Sequence, residues 1–251
     1  MPAHFQPSRH AFGFRNDWPN EPALNLPTPW QGVGIGNAAR GLCGGMVFGA
    51  LDYWHAGVEP PAGLPAPGEP LFRFIVWRLI QSWHVPTGVA RYYYWMNLPD
   101  GDTVHSRLLR SRLLRSRLLH SRLLHRRLLH SRFHHRRLQH RRGLRARSMA
   151  TEWPRIRARL DVGQPTPIGL VTVAGASPFQ LGRNHQVLAY GYEVAGTKVT
   201  LHVYDPNSGP NDDVYIRFDT RVPDDGFAHS INIGLPVRGF FLTPYSPANP
   251  P

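Results

Sequence analysis

A five-residue repeat between Ser106 and Arg147 sets the first limit on what this chain can fold into. It starts as Ser106-Arg107-Leu108-Leu109-Arg110, recurs at 111–115 and 116–120, and decays through Ser131-Arg132-Phe133-His134-His135 to Arg141-Arg142-Gly143-Leu144-Arg145. Five residues advance an α-helix by about 500°, so the leucine pairs walk around the axis and leave no stripe. An odd period also turns a strand over at every unit. Neither element can bury these leucines on one side, so the core has to come from the flanking chain. A pentapeptide β-helix would turn Leu108, Leu113, Leu118, Leu123, Leu128, Phe133 and Leu138 inward, but Arg126 and Arg136 occupy its small inward site. The run is also short for a solenoid. The segment reads as a solvated low-complexity insert over 104–147, in which Arg and Leu favour partial helix.

Charge follows the same division. The formal net charge is +13, and residues 106–147 hold 15 of the 28 arginines with no Asp or Glu. Taking that +15 away leaves −2 for the rest, so the globular part is nearly neutral and offers no basic nucleic-acid face. An arginine-dense arm would make non-specific, salt-dependent contact with polyanions or membrane surfaces. Histidines 120, 125, 130, 134, 135 and 140 lie among those arginines without a carboxylate, which argues against a metal site.

The flanks differ in pattern. Residues 1–34 form a Pro-rich N-terminal region, and 35–251 read as one domain interrupted by the insert. Cys43 to His55 has Met46, Val47, Ala50, Leu51 and Trp54 at helical spacing, and Leu71 to Trp83 has Phe72, Ile75, Val76, Leu79 and Ile80. Tyr92 to Trp95 is a short aromatic stretch, and Met149 to Leu160 predicts a helix broken early by Pro154. The chain then turns to β at 166–173, 186–194, 198–204, 213–219 and 239–244, with a hairpin turn at Gly196-Thr197. Helices first and an antiparallel sheet after is an α+β plan.

Only one cysteine is present, so no disulfide can form within the chain. The N-terminus has no apolar signal core and no 18-residue apolar run occurs, which reads as a soluble cytoplasmic protein with non-classical export open. That cysteine sits in Gly41-Leu42-Cys43-Gly44-Gly45-Met46, where the helix should begin. A thiol attacks as thiolate, and a helix N-terminus and an imidazolium both favour that form. His185, at the start of a predicted strand, could supply the imidazole; Asp205 or Asn207, at the end of the next, could hold its tautomer. Asp52 and His55 read as local helix hydrogen bonding, and the Asp212-Asp213 and Asp224-Asp225 pairs as solvated loops rather than Ca²⁺ sites. Gly32 to Gly36 lacks the Lys-Ser/Thr of a phosphate loop.

The order of these residues resembles papain-like cysteine peptidases, and more closely the compact bacterial branch related to double-glycine leader peptidases. In that branch the histidine opens a strand that ends in Gly-Tyr, and the third residue lies in an Asp-Pro pair. Here they are His185-Gln186-Val187-Leu188-Ala189-Tyr190-Gly191-Tyr192 and Tyr204-Asp205-Pro206-Asn207. The resemblance spans residues 35–56 and 160–244. It implies a papain-like fold, with the nucleophile on the first helix packed on the C-terminal sheet. It also implies a peptide or protein substrate and a thioester acyl-enzyme, with no cofactor or metal. Cys43 would be the nucleophile, His185 the general base and acid, and Asp205 the orienter. The family usually has an oxyanion-stabilising Gln six residues before the cysteine, where this chain has Asn37; Gln31 is the substitute if its loop folds back. Two other functions share the pattern. A transglutaminase-like acyl transferase uses the same order but typically has an aromatic soon after the histidine, where Gln186-Val187 stands. An inactive papain-like binding module would use the Arg-rich arm as a polyanion tether.

Overall fold

The computed structural model describes residues 4–18, 22–24, 35–37, 42–102, 142–175 and 177–251. Gln31 and the repeat up to Arg141 lie outside the described residues. The architecture is α+β: helices combined with a curled antiparallel sheet. A short helix α1 (Pro7–His10) and a two-stranded ribbon, β1 (Pro22–Leu24) with β2 (Ile35–Asn37), come first. Helices α2 (Cys43–Ala56), α3 (Pro70–Ser82) and α4 (Thr87–Met96) follow. After the repeat, α5 (Leu144–Arg147) runs through a π turn (Ser148–Glu152) into α6 (Trp153–Leu160). The main sheet has the order β7-β6-β5-β4-β3-β8 and is antiparallel throughout. Its strands are β3 (Thr166–Val171), β4 (His185–Ala195), β5 (Lys198–Tyr204), β6 (Tyr215–Asp219), β7 (Ala228–His229) and β8 (Gly239–Leu242).

Alternation along β4 divides the core. Leu188 packs with Tyr204 against α2 and α3, whereas Val187 and Ala189 face Met149, Trp153 and Ile156. All six residues of β3 are buried, because both of its faces are covered. In a flat sheet β6 and β8, four strands apart, would lie about 19 Å from each other. The rings of Phe218 on β6 and Phe240 on β8 are 5.5 Å apart, so the sheet must curl. The backbone N–H groups of edge strand β8 are met from the π turn: Phe240 donates to Ser148 Oγ (2.9 Å) and Leu242 to Glu152 Oε2 (3.0 Å).

Helix α2 stops at Gly57, whose positive φ of 67° lets its N–H turn back to Trp54 and Tyr53. It is buried on every side from Cys43 to Trp54, which exceeds the one-sided stripe its spacing suggests. Two near neighbours explain this. Residues 4–18 are part of the core rather than a separate Pro-rich region: Phe5, Phe12, Phe14 and Trp18 pack against α2 and α3. On the other side Asp52 is fully buried and pairs with Arg78 Nε at 2.6 Å, in place of the local bond to His55. Arg78 also donates to the Ser246 carbonyl, while Tyr245 and the Ala248 N–H donate to Asp52, tying the C-terminal tail across both helices.

Other elements depart from the pattern for identifiable reasons. Ile80 of α3 is 37% exposed, because Arg78, about 200° around the helix from it, is on the buried side. The Tyr92–Trp95 stretch belongs to α4, with Tyr92, Trp95 and Met96 facing Val171 and Phe241. Pro154 sits in the first turn of α6, where its missing N–H costs no helical bond, instead of breaking the helix. Leu144, within the last repeat units by sequence, is fully buried beside Tyr92 and Trp95, so the folded body resumes before Arg147. The chain leaves and re-enters at one point: Leu144 N–H donates to the Pro99 carbonyl at 2.8 Å and Gly143 N–H to Asp102 Oδ1 at 2.8 Å. Among the described residues no helix is long and apolar enough to cross a membrane.

Candidate active site

Cys43 is the first residue of α2, and the glycines that follow let that helix come close to its neighbours. A methyl on Gly44 would fall 2.4 Å from Ser82 Oγ and 2.7 Å from Gln186 Oε1; one on Gly45 would fall 2.0 Å from the Ile75 carbonyl oxygen. The start of α2 is thereby seated against both α3 and β4. Leu42 provides no side-chain cap, and Met46 N–H is the donor to the Leu42 carbonyl at 2.9 Å. The N–H groups of Cys43 to Gly45 therefore point out of the helix end and contribute its positive pole.

His185 opens β4 and is held in register opposite Leu170 of β3. The preceding Asn184 accepts Thr172 N–H on Oδ1 (3.1 Å), and Tyr92 donates its hydroxyl to the His185 carbonyl at 3.4 Å. Asp205 follows β5 at the mouth of a tight turn in which Ser208 N–H returns to its carbonyl at 2.9 Å. The hairpin between β4 and β5 brings the two residues side by side: His185 Nε2 lies 2.9 Å from Asp205 Oδ1. Cys43 lies close enough to the same imidazole to favour its charged form, and with Nε2 committed to Asp205 the nitrogen left to face the thiol is Nδ1.

The electrostatics follow from burial and charge together. Burial favours the neutral imidazole, but Asp205 and Cys43 outweigh it and hold His185 well above its ordinary value. Burial likewise pushes the Asp205 carboxyl up, while the charge and hydrogen bond of His185, with His229 and the Asn207 N–H, bring it well below the usual carboxylate range. Tyr92, buried beside Cys43, is pushed up by desolvation and is a neutral hydroxyl near neutral pH.

The structure thus brings Cys43, His185 and Asp205 together. Asn207 plays a different part from the alternative orienter: its backbone N–H donates to Asp205 Oδ1 (2.8 Å), and its side-chain Oδ1 accepts from Asn16 Nδ2 (3.1 Å). Asn37 ends β2, paired with Pro22; Gln31 lies outside the described residues. Asp212 receives the N–H and hydroxyl of Ser8. Among the described residues no group of three or more His, Cys, Asp or Glu is arranged to hold a metal ion.

One neighbour gave no sign in the sequence. His229 Nε2 lies 3.2 Å from Asp205 Oδ2, off the line of an ideal hydrogen bond. It belongs to a two-residue edge strand 24 positions after Asp205, too short to show any periodicity. A cleft of about 520 Å³ opens beside His185, lined by Thr172, Asn184, Asn207, Asn232 and Leu235, with Arg183 also in its wall. In comparisons with known proteins, no family model, curated protein or solved structure matches this chain.

Proposed function

We propose that this protein is a papain-like cysteine hydrolase of peptide or amide bonds, working through Cys43, His185 and Asp205. One observation carries the reading: a buried imidazole bonded at 2.9 Å to a fully buried carboxylate has a thiol at a helix start beside it. A structural histidine has no need of both partners, whereas a nucleophile and its base do. In the reaction the thiolate sulfur adds to the substrate carbonyl carbon. The C–N bond then breaks as His185 passes its proton to the departing nitrogen, leaving a thioester on Cys43. Water adds to that thioester while His185 accepts its proton, and the C–S bond breaks to release the acid. Asp205 keeps the imidazole in one tautomer throughout and stabilises its charge. The Cys43 N–H at the helix end is a donor for the oxyanion, with Asn37 as the proposed second. The cleft on the His185 side would receive the leaving-group half of the substrate.

The test is the rate of Cys43 alkylation by iodoacetamide as a function of pH, in wild type and His185→Ala. Rapid alkylation that persists below about pH 7 and disappears in the variant is expected, after which peptide-library hydrolysis identifies the substrate. Alkylation matching an ordinary thiol in both proteins would overturn the hydrolase reading and leave the binding module.

A further inference from the structure

We infer that His229 is a positioning residue of this site, gripping the far oxygen of Asp205 so that the carboxylate holds His185 against Cys43. The inference rests on the proposed roles of Cys43, His185 and Asp205. Asp205 is fully buried, so each of its oxygens needs a donor. Oδ1 has two, His185 Nε2 at 2.9 Å and Asn207 N–H at 2.8 Å. Oδ2 faces His229 Nε2 at 3.2 Å, off the line of an ideal hydrogen bond, and no aligned donor meets it among the described residues.

The tautomer of His229 follows from its other nitrogen. Nδ1 lies 3.2 Å from Ile231 N and accepts its N–H, so the ring proton sits on Nε2, facing the carboxylate. Backbone pairing fixes the ring's position. His229 is in register with Ile216 of β6, and Ser230 and Tyr215 exchange bonds of 2.9 Å on either side. The His229 side chain is only 4% exposed, so water is a poor substitute for it. The site is therefore a line of four groups, Cys43, His185, Asp205 and His229, whose last member is supplied by the edge strand of the sheet.

Removing the donor would leave a buried carboxylate oxygen unpaired. Asp205 would then rotate from His185 or take up a proton, and either change weakens the imidazolium facing the thiol. Full-length protein labelled with ¹⁵N-histidine is the material for the test. In wild type, His229 is expected as the neutral Nε2–H tautomer with that proton slow to exchange. In His229→Phe, the pH of half-maximal Cys43 alkylation should rise by about one unit, and the low-field His185 Nε2–H resonance should broaden or move upfield. His229→Gln, which can offer an N–H near the same point, should retain both signals. The inference is overturned by an Nδ1–H tautomer in wild type, by a His229→Phe profile that is unchanged or moves down, or by His229→Gln behaving like His229→Phe. If His229→Phe does not fold, the wild-type tautomer and His229→Gln still decide. Ordinary, His185-independent alkylation in wild type would sink the hydrolase reading instead, an outcome separate from the His229 tautomer.

Discussion

Gly45→Ala adds one methyl where α2 packs against α3. The new carbon would lie 2.0 Å from the Ile75 carbonyl oxygen and 3.0 Å from its carbon. A carbon and a carbonyl oxygen approach comfortably to about 3.3 Å, so the backbone of α3 must retreat by about 1.3 Å. A carbonyl within a helix cannot move alone, and the two helices have to part. Overpacking of this kind costs about 3 kcal/mol, and replacing glycine by alanine inside a helix returns about 1 kcal/mol. The net loss is about 2 kcal/mol, or a fall in Tm of about 4–8 °C for a body of this size. The same shift moves the start of α2, which carries Cys43 two residues earlier, so slower alkylation at mildly acid pH should accompany it. Thermal melting of wild type and Gly45→Ala measures the first effect, with Gly63→Ala as control because its methyl meets nothing within 4 Å. A Gly45→Ala protein melting within about 1 °C of wild type would refute the close packing of α2 on α3.

Three further outcomes are expected. Arg78→Met strands the buried Asp52 carboxyl, already pushed up by desolvation, and should cost about 3–5 kcal/mol in urea unfolding; a loss below about 1 kcal/mol would contradict the buried pair. His185 is raised in the folded state, so its stabilising contribution is complete below about pH 6.5 and drains away as pH rises toward the folded value. The urea midpoint of wild type should therefore fall between about pH 6 and pH 9 and stay flatter in His185→Gln, and equal slopes would count against the charged imidazole. Replacing 103–141 with a short Gly-Ser linker should preserve melting and Cys43 alkylation while abolishing salt-sensitive retention on heparin, because Asp102 and Gly143 are already hydrogen-bonded. A linker variant that fails to fold would show the segment to be part of the core.

Much of the element order was legible because local chemistry marks it. The Gly-rich entry to α2, the Gly196-Thr197 turn and the strand patterns from Thr166 onward all lie within a few residues of what they specify. Cys43, His185 and Asp205 could be singled out for the same reason, since each stands at an element's end. The rest depends on contacts distant in sequence. Phe12 and Trp18 come from a Pro-rich stretch that carries no period, yet they fill the outer side of α2. Arg78 and Asp52 look like surface charges, and become interior only because Tyr245 and Ala248 return to cover them. His229 sits on a strand too short for any pattern, and only its pairing with Ile216 carries it to Asp205.

By itself the sequence determined that helices precede an antiparallel sheet and that its lone thiol starts a helix. These are consequences of periodicity and of residues acting on their neighbours. Tertiary structure alone decided the 2.9 Å meeting of His185 with Asp205, the second imidazole on that carboxylate, and the burial of α2 on every side. Such distances arise from strand register and from the curl of a six-stranded sheet, and both emerge only when segments far apart in the chain close on one another.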